Sequence, residues 1–374
     1  MGLRTASADH DAGRDAVRIL VTGGAGFIGS TLVEQLLPLG HEVTCLDNFD
    51  DWYDPRVRRR NIAAALRSQH FHLVEGDIGD EALVERLLAR RCDAVIHLAA
   101  RPGVRSSISA PALYERINVQ GTLTLLEASR RHGVSHFLFA SSSSVYGLSR
   151  DVPFHEETSR LAPASPYGVT KLAAEFFCRT YHHLYGMPIT CLRFFTVYGP
   201  RQRPDMAIHR FTRLIEQGSP IPVYGDGTAR RDFTYVDDVV DGVVRALTRP
   251  RGFRVYNLGT CDTVTVRELV GMIERALGKP AAVVSHPAQA GDVPITYADI
   301  TLAGRELGYR PLTPLAAGLG KYVEWLRASE APAPAAPTPY PPALDPVRAV
   351  PLPAASATQR RRTVAAARLE TRPT

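Results

Sequence analysis

Tyr167 and Lys171 stand four residues apart in the run Tyr167-Gly168-Val169-Thr170-Lys171. On a helix this spacing puts a phenol and an ammonium on one face. A tyrosine with an ordinary pKa near 10 acts as a general base at neutral pH only beside positive charge, which Lys171 and an oxidised nicotinamide ring can supply. Taken alone the pair is common by chance and equally describes an exposed helical pair. A second feature accompanies it. The serine run Ser141-Ser142-Ser143-Ser144 closes an apolar stretch that reads as a strand, and Ser142 lies 25 residues before Tyr167. Strand ends in a parallel sheet open onto the ligand crevice, so a hydroxyl there can bridge a substrate hydroxyl and the tyrosine.

A third feature concerns a cofactor. The first predicted strand, VRILV at 17–21, runs directly into Thr22-Gly23-Gly24-Ala25-Gly26-Phe27-Ile28-Gly29, after which a helix is expected. Gly23 permits the tight turn, Gly26 lets backbone N–H groups approach a pyrophosphate, and Gly29 lets helix and strand pack closely. The second strand ends at Asp47, 24 residues beyond Gly23. There a carboxylate accepts hydrogen bonds from the adenosine ribose and repels a 2′-phosphate, which favours NAD over NADP. Arg56 and the run Arg58–Arg60 read as surface charges, and the plainer role for Asp47 is to cap a turn with Asn48.

These residues need strands and helices to bring them together. Short apolar runs at 17–21, 42–47, 71–77, 94–100, 137–143 and 189–195 read as strands, alternating with helices at Ser30–Leu39, Glu81–Arg91, Leu113–His132 and Ser165–Tyr185. That alternation predicts an α/β fold, a doubly wound parallel Rossmann sheet with right-handed crossovers. After Arg193 the pattern loosens into proline- and glycine-punctuated segments, so a smaller C-terminal α/β subdomain for substrate is expected over 194–328, beside an NAD-binding domain over 16–193. RVYNLG at 254–259 reads as a strand returning to the sheet.

The chain of 374 residues carries 44 basic and 38 acidic side chains, a net charge of +6, with 45% apolar residues. Such a composition is ordinary for a soluble globular protein. Ten of the 28 prolines and half of the net charge fall in 329–374, which composition predicts to be disordered, together with 1–15. Arg360-Arg361-Arg362 is the best case for a nucleic-acid or membrane contact, but a solvated tail is the expected reading and no nucleic-acid partner is predicted. Five scattered cysteines without a C-x-x-C pair point to a reducing cytoplasm and no structural metal. No signal peptide or membrane span is predicted.

Taken together, TGGAGFIG, LDN, GDIGD, HLAA, SSSSVYG, YGVTK, FFTVYGP, RRDFTYVDD and QAGDVPITYAD resemble, over residues 17–328, the extended short-chain dehydrogenase/reductases that act on nucleotide sugars. The resemblance implies cofactor contacts at Phe27, Ile28, Asp47, Asn48, Asp77, Ile78, Leu98, Ala99, Ala100, Asn118, Tyr167 and Lys171. It also implies a homodimer formed through the helices around Leu113–His132 and Ser165–Tyr185. Reactions in this family begin when the tyrosine takes the proton of the sugar 4-hydroxyl as the C4 hydride leaves, giving a 4-keto sugar. Dehydratases then use an Asp-Glu pair, and decarboxylases a glutamate, just before the VYG motif. Here Ser143-Ser144 stand at that place, which leaves 4-epimerisation.

Several segments are similar to those of bacterial UDP-glucuronate 4-epimerases, so a UDP-uronic acid is the expected substrate. Arg203 is the family's candidate for the C6 carboxylate, with Thr196 and the serines Ser142, Ser143 and Ser144 as hydroxyl partners. Arg231 is placed on the diphosphate, Tyr224 beside the uracil, Asp292 near the ribose, and Arg105 on phosphate or carboxylate. Gln289 matches the uronate group. Arg101-Pro102 depart from its usual glutamine and alanine, and Ser106 replaces a common tyrosine. A UDP-glucose/UDP-galactose or promiscuous UDP-sugar 4-epimerase stays open as the alternative, followed by an NAD-binding protein without catalysis and a polymer-binding role for the tail.

Overall fold

Runs such as Ile19-Leu20-Val21 and Val95-Ile96 are buried on both faces, as strands of a parallel sheet covered by helices on each side must be. In the computed structural model, which describes residues 16–330, these runs are sheet strands. In chain order the elements are β1 (Arg18–Thr22), α1 (Phe27–Leu36), β2 (Glu42–Asp47), α2 (Pro55–Asn61), β3 (Phe71–Glu75), α3 (Glu81–Leu88), β4 (Ala94–His97), α4 (Val104–Ser109), α5 (Pro111–Glu115), α6 (Gly121–Arg131), β5 (His136–Ser142), α7 (Pro166–Tyr185) and β6 (Ile189–Phe194). There follow β7 (Thr196–Tyr198), α8 (Ala207–Glu216), β8 (Ile221–Tyr224), β9 (Arg230–Arg231), β10 (Phe233–Tyr235), α9 (Val236–Leu247) and β11 (Phe253–Leu258). The last described helix is Leu315–Glu330. The segments 1–15 and 331–374, on which the expectations of disorder chiefly fall, lie outside the described residues.

The seven-stranded sheet has the order β3-β2-β1-β4-β5-β6-β11, and every neighbouring pair is parallel. The expected doubly wound α/β sheet is therefore present. Its growth reverses between β1 and β4, and ligand crevices form outside the carboxyl ends of strands at such a reversal. β7 pairs with β10, and β8 with Val283–His286, both in parallel.

Two helices differ from the sequence expectation. The first begins at Phe27 rather than Ser30, because Gly26 is its N-cap and the glycine loop turns at once into helix. The run expected as one helix at Leu113–His132 is broken into α5, a π-helical turn at Arg116–Gln120, and α6. Such turns widen a helix locally and gather at functional sites. This one carries Asn118, whose side chain accepts from Arg101 N at 2.7 Å and donates to Arg101 O and Thr170 Oγ1 at 3.1 Å each.

α7 is sharply started. Ser165 is its N-cap, accepting from Gly168 N at 3.2 Å, and Pro166 occupies the first helical position. Tyr167 thus sits in the first turn and Lys171 in the next. The helix is fixed to the sheet by a buried ion pair in which Arg193 of β6 donates to both oxygens of Glu175, at 2.9 and 2.7 Å. Ser141 Oγ donates to Glu175, Arg193 donates to Tyr146 OH, and Tyr146 OH donates to Asn257 of β11. Removing one partner of such a pair strands a buried charge. Glu175→Ala is therefore expected to cost about 3–5 kcal/mol of stability, read by urea unfolding. A cost within ~1 kcal/mol would show that packing alone holds α7.

Candidate active site

The loops after β1 and β4 touch through backbone. Gly23 has φ +71° and donates to Leu46 O at 2.8 Å. A Cβ on it would lie 2.8 Å from Ala99 N, and one on Gly29 would lie 2.2 Å from Gly23 O. No side chain fits at either position, so backbone N–H groups line the space in front of α1. Gly24 went unremarked in the sequence reading, yet its Cβ would meet Cys45 Sγ at 2.6 Å.

One cleft takes in Gly23, Gly26, Phe27, Ile28 and Gly29 from the β1 loop, and Asp47, Asn48, Asp77 and Ile78 from the ends of β2 and β3. Leu98, Ala99 and Ala100 of the β4 loop line it too, as do Tyr167, Lys171 and Arg203. Asn118 stands behind this wall, holding Arg101. A dinucleotide fits this chemistry: a backbone cradle for a pyrophosphate, then an acidic side chain at the end of β2 for a ribose.

Asp47 is buried, accepting from Ala25 N at 3.1 Å, Phe49 N at 2.9 Å and Arg58 Nη1 at 3.2 Å. Burial pushes its carboxyl pKa up, while the Phe49 N–H and the Arg58 charge pull it back. Arg58 corrects the sequence reading. It is a buried side chain paired with Asp47 and with Asp50 at 3.1 Å, not a surface charge. Pro55 starts α2, whose inward face carries Arg58 and Asn61, and Asn61 donates to Ala25 O at 3.2 Å. Arg56, Arg59 and Arg60 are exposed, as expected. Asp47 and Asp50 hold the Arg58 charge, and Asp50 also pairs with Arg101, so both guanidinium groups at this end are already engaged by carboxylates.

Tyr167 is half-buried; desolvation raises its phenol pKa, while the Ser142 hydroxyl and the Arg203 charge lower it. Lys171 Nζ donates to Ala140 O at 2.8 Å and lies 4.9 Å from the Phe139 ring centre. Burial pulls its ammonium down to about 8, opposed by Cys178 and Glu175. Arg203 is a cation that acts directly on the phenol. The phenol and the guanidinium both line the cleft, and the Ser142 hydroxyl, which lines neither cavity, reaches the phenol by a hydrogen bond.

A second cavity is lined by Ser143, Ser144, Thr196, Arg231 and Asp292. Ser141 lines the first cleft, so the serine run passes from one to the other. Arg105 of α4 pairs with Asp292 at 2.9 Å, and its guanidinium lies 4.8 Å over the Tyr224 ring. Burial lowers the Arg231 pKa, which Asp292 opposes and Arg105 reinforces. Gln289 lines neither cavity, and its Oε1 is buried without a partner. Arg101, the departure from the uronate group, turns toward the β2 loop: Nη1 pairs with Asp50, and the guanidinium lies 4.6 Å over Trp52. Asp50, Trp52 and Asp205 were not singled out in the sequence, because each acts through a partner distant in the chain or around a turn. Among the described residues no group of three or more His, Cys, Asp or Glu could hold a metal ion, and no helix is long and apolar enough to cross a membrane.

The sequence model of the NAD dependent epimerase/dehydratase family matches residues 19–259. UDP-glucuronate 4-epimerase 4 of Arabidopsis thaliana is 42% identical over 343 residues, covering 86% of this chain and 78% of its own. The UDP-glucuronate 4-epimerase of Thermodesulfobacterium geofontis is 41% identical over 308 residues, covering 82% of this chain and 95% of its own. Among solved structures, UDP-glucuronic acid 4-epimerase from Bacillus cereus in complex with UDP-glucuronic acid and NAD has a TM-score of 0.80 at 37% identity, covering 83% of this chain and 99% of that one.

Proposed function

The chain belongs to the NAD dependent epimerase/dehydratase family, and from that premise we propose that it interconverts UDP-glucuronate and UDP-galacturonate by epimerisation at C4. The observation that carries this reading is the guanidinium of Arg203 beside the Tyr167 phenol, where a sugar carboxylate would need a cation. Residues 16–193 hold the cofactor in this reading, and residues 194–328, with the serine run and Arg105, hold the UDP-sugar. Arg231 and Arg105 take the diphosphate, Tyr224 the uracil and Asp292 the ribose, while Gln289 supports the turn that carries Asp292.

NAD, when bound, supplies a hydride acceptor that returns the hydride to C4. The protein's part is to move one proton and to hold the sugar. Tyr167 takes the 4-hydroxyl proton through Ser142 and later gives it back, while Lys171 holds positive charge on the cofactor side of the phenol. Among the residues lining the second cavity the carboxylate is Asp292, engaged by Arg105, so no free acid stands ready for elimination. Ser143, Ser144 and Thr196 give hydroxyl partners to a carboxylate that must turn with the ring. Product analysis after incubation with UDP-glucuronate tests the reading: UDP-galacturonate is expected at equilibrium, and UDP-xylose or CO₂ as the main product would overturn it.

A homodimer is part of the same reading. α7 exposes Val169, Phe176, Phe177 and Leu184 at 53, 56, 36 and 60%, an apolar face suited to a second copy. Light scattering is expected to give a dimer mass, reduced to a monomer by Phe176→Glu; a wild-type monomer would refute it. Five free cysteines, three of them buried, support a reducing, cytoplasmic setting.

A further inference from the structure

Arg203, Pro204, Asp205 and Met206 form a turn closed by Met206 N donating to Arg203 O at 3.2 Å. The turn brings the side chains of Arg203 and Asp205 together in two parallel hydrogen bonds, Nε to Oδ1 at 2.9 Å and Nη2 to Oδ2 at 3.0 Å. A forked pair of this kind fixes the plane of the guanidinium as well as its position. Nε and one edge of Nη2 are consumed, so Nη1 and the outer Nη2 hydrogen remain for a ligand. Asp205 is itself held. Burial alone would raise its pKa, but the Arg203 hydrogen bond and charge keep the carboxylate ionised below its ordinary range. The indole of Trp52 lies against it, with Nε1 buried and lacking a well-aligned acceptor.

We propose that Asp205 is a positioning residue which locks the Arg203 guanidinium edge-on to the sugar, and that this lock keeps the C6 carboxylate out of the orientation in which it is lost. The inference rests on the uronate reading above. At the 4-keto stage the sugar is a β-keto acid, oxidised at C4, with its hydride held by the reduced cofactor. If the C5–C6 bond lines up with the carbonyl π system it breaks. Its electron pair moves into the C4 carbonyl as an enolate, CO₂ leaves, and C5 takes a proton from solvent to give a 4-keto pentose. That sugar leaves without its hydride, so each such event strands one equivalent on the cofactor. A guanidinium fixed in one plane holds the carboxylate away from this alignment, whereas one free to rotate follows it.

The test is the ratio of CO₂ released to UDP-galacturonate formed. Asp205→Asn keeps size and one acceptor but loses the charge and the fork, and is expected to raise the ratio at least about tenfold, with reduced cofactor accumulating at 340 nm. KM for UDP-glucuronate is expected to stay level or fall, because a negative charge near the ligand carboxylate has been removed. A merely structural role would lower both products together and leave the ratio unchanged. Asp205→Glu, which restores the carboxylate, is expected to bring the ratio back toward wild type. If Asp205→Asn does not fold, Arg203→Lys tests the same point, since it keeps the charge and lacks the planar fork. A wild-type ratio in a folded Asp205→Asn or Arg203→Lys protein overturns the inference. A wild-type protein that does not epimerise UDP-glucuronate overturns the functional reading instead.

Discussion

Tyr167→Phe is expected to lose turnover of UDP-glucuronate by about 10²–10⁴-fold, the usual contribution of a positioned acid–base group, while retaining NAD. The variant removes one oxygen from a half-buried ring, so the cleft keeps its shape. Its edge contact with Tyr114, at 6.4 Å between ring centres, involves no hydroxyl. The phenol matters because of where α7 puts it: in the first turn after the Ser165 cap, facing Ser142 at the end of β5. Single-turnover kinetics with the NAD content measured in the same sample checks this. Near-wild-type turnover would move the chemistry to another group.

Arg203→Ala is expected to lower kcat/KM for UDP-glucuronate ten- to a hundredfold, since a lost hydrogen bond to a charged group is worth about 1.5–3 kcal/mol. UDP-glucose has no charge at C6, so its kcat/KM is expected to fall less, by only what the loss of Arg203 costs the catalytic machinery itself. The removal also strips Tyr167 of a cation that lowers its pKa and leaves Asp205 without its partner. The comparison between the two sugars is therefore the informative quantity, because those side effects are common to both. Equal losses would place Arg203 on the diphosphate or in the scaffold.

What the sequence disclosed was what lies within one turn or one loop. The glycines at 23, 26 and 29, the Tyr167–Lys171 spacing and the Ser165 cap are local patterns whose geometry follows from a few residues. Asp47 was legible too, because it ends a strand. What stayed hidden depends on distant segments meeting. Arg105 and Asp292 are 187 residues apart, and Arg101 and Asp50 are 51 apart. Arg58 reads as one of three consecutive arginines, and only the packing of α2 against the β1 loop shows that it alone turns inward. The break between α5 and α6 was hidden for another reason: a π-helical turn keeps the apolar spacing close to helical and so leaves little trace in the pattern.

The most direct measurement follows the hydrogen at C4. UDP-glucuronate deuterated at C4 is incubated with the protein in ordinary water and the products are examined by NMR and mass spectrometry. The expected result is UDP-galacturonate that keeps deuterium at C4, with no exchange into solvent and no net change in NAD. Loss of the label to water, or recovery of the starting sugar alone, would contradict epimerisation by a hydride that leaves and returns at one carbon.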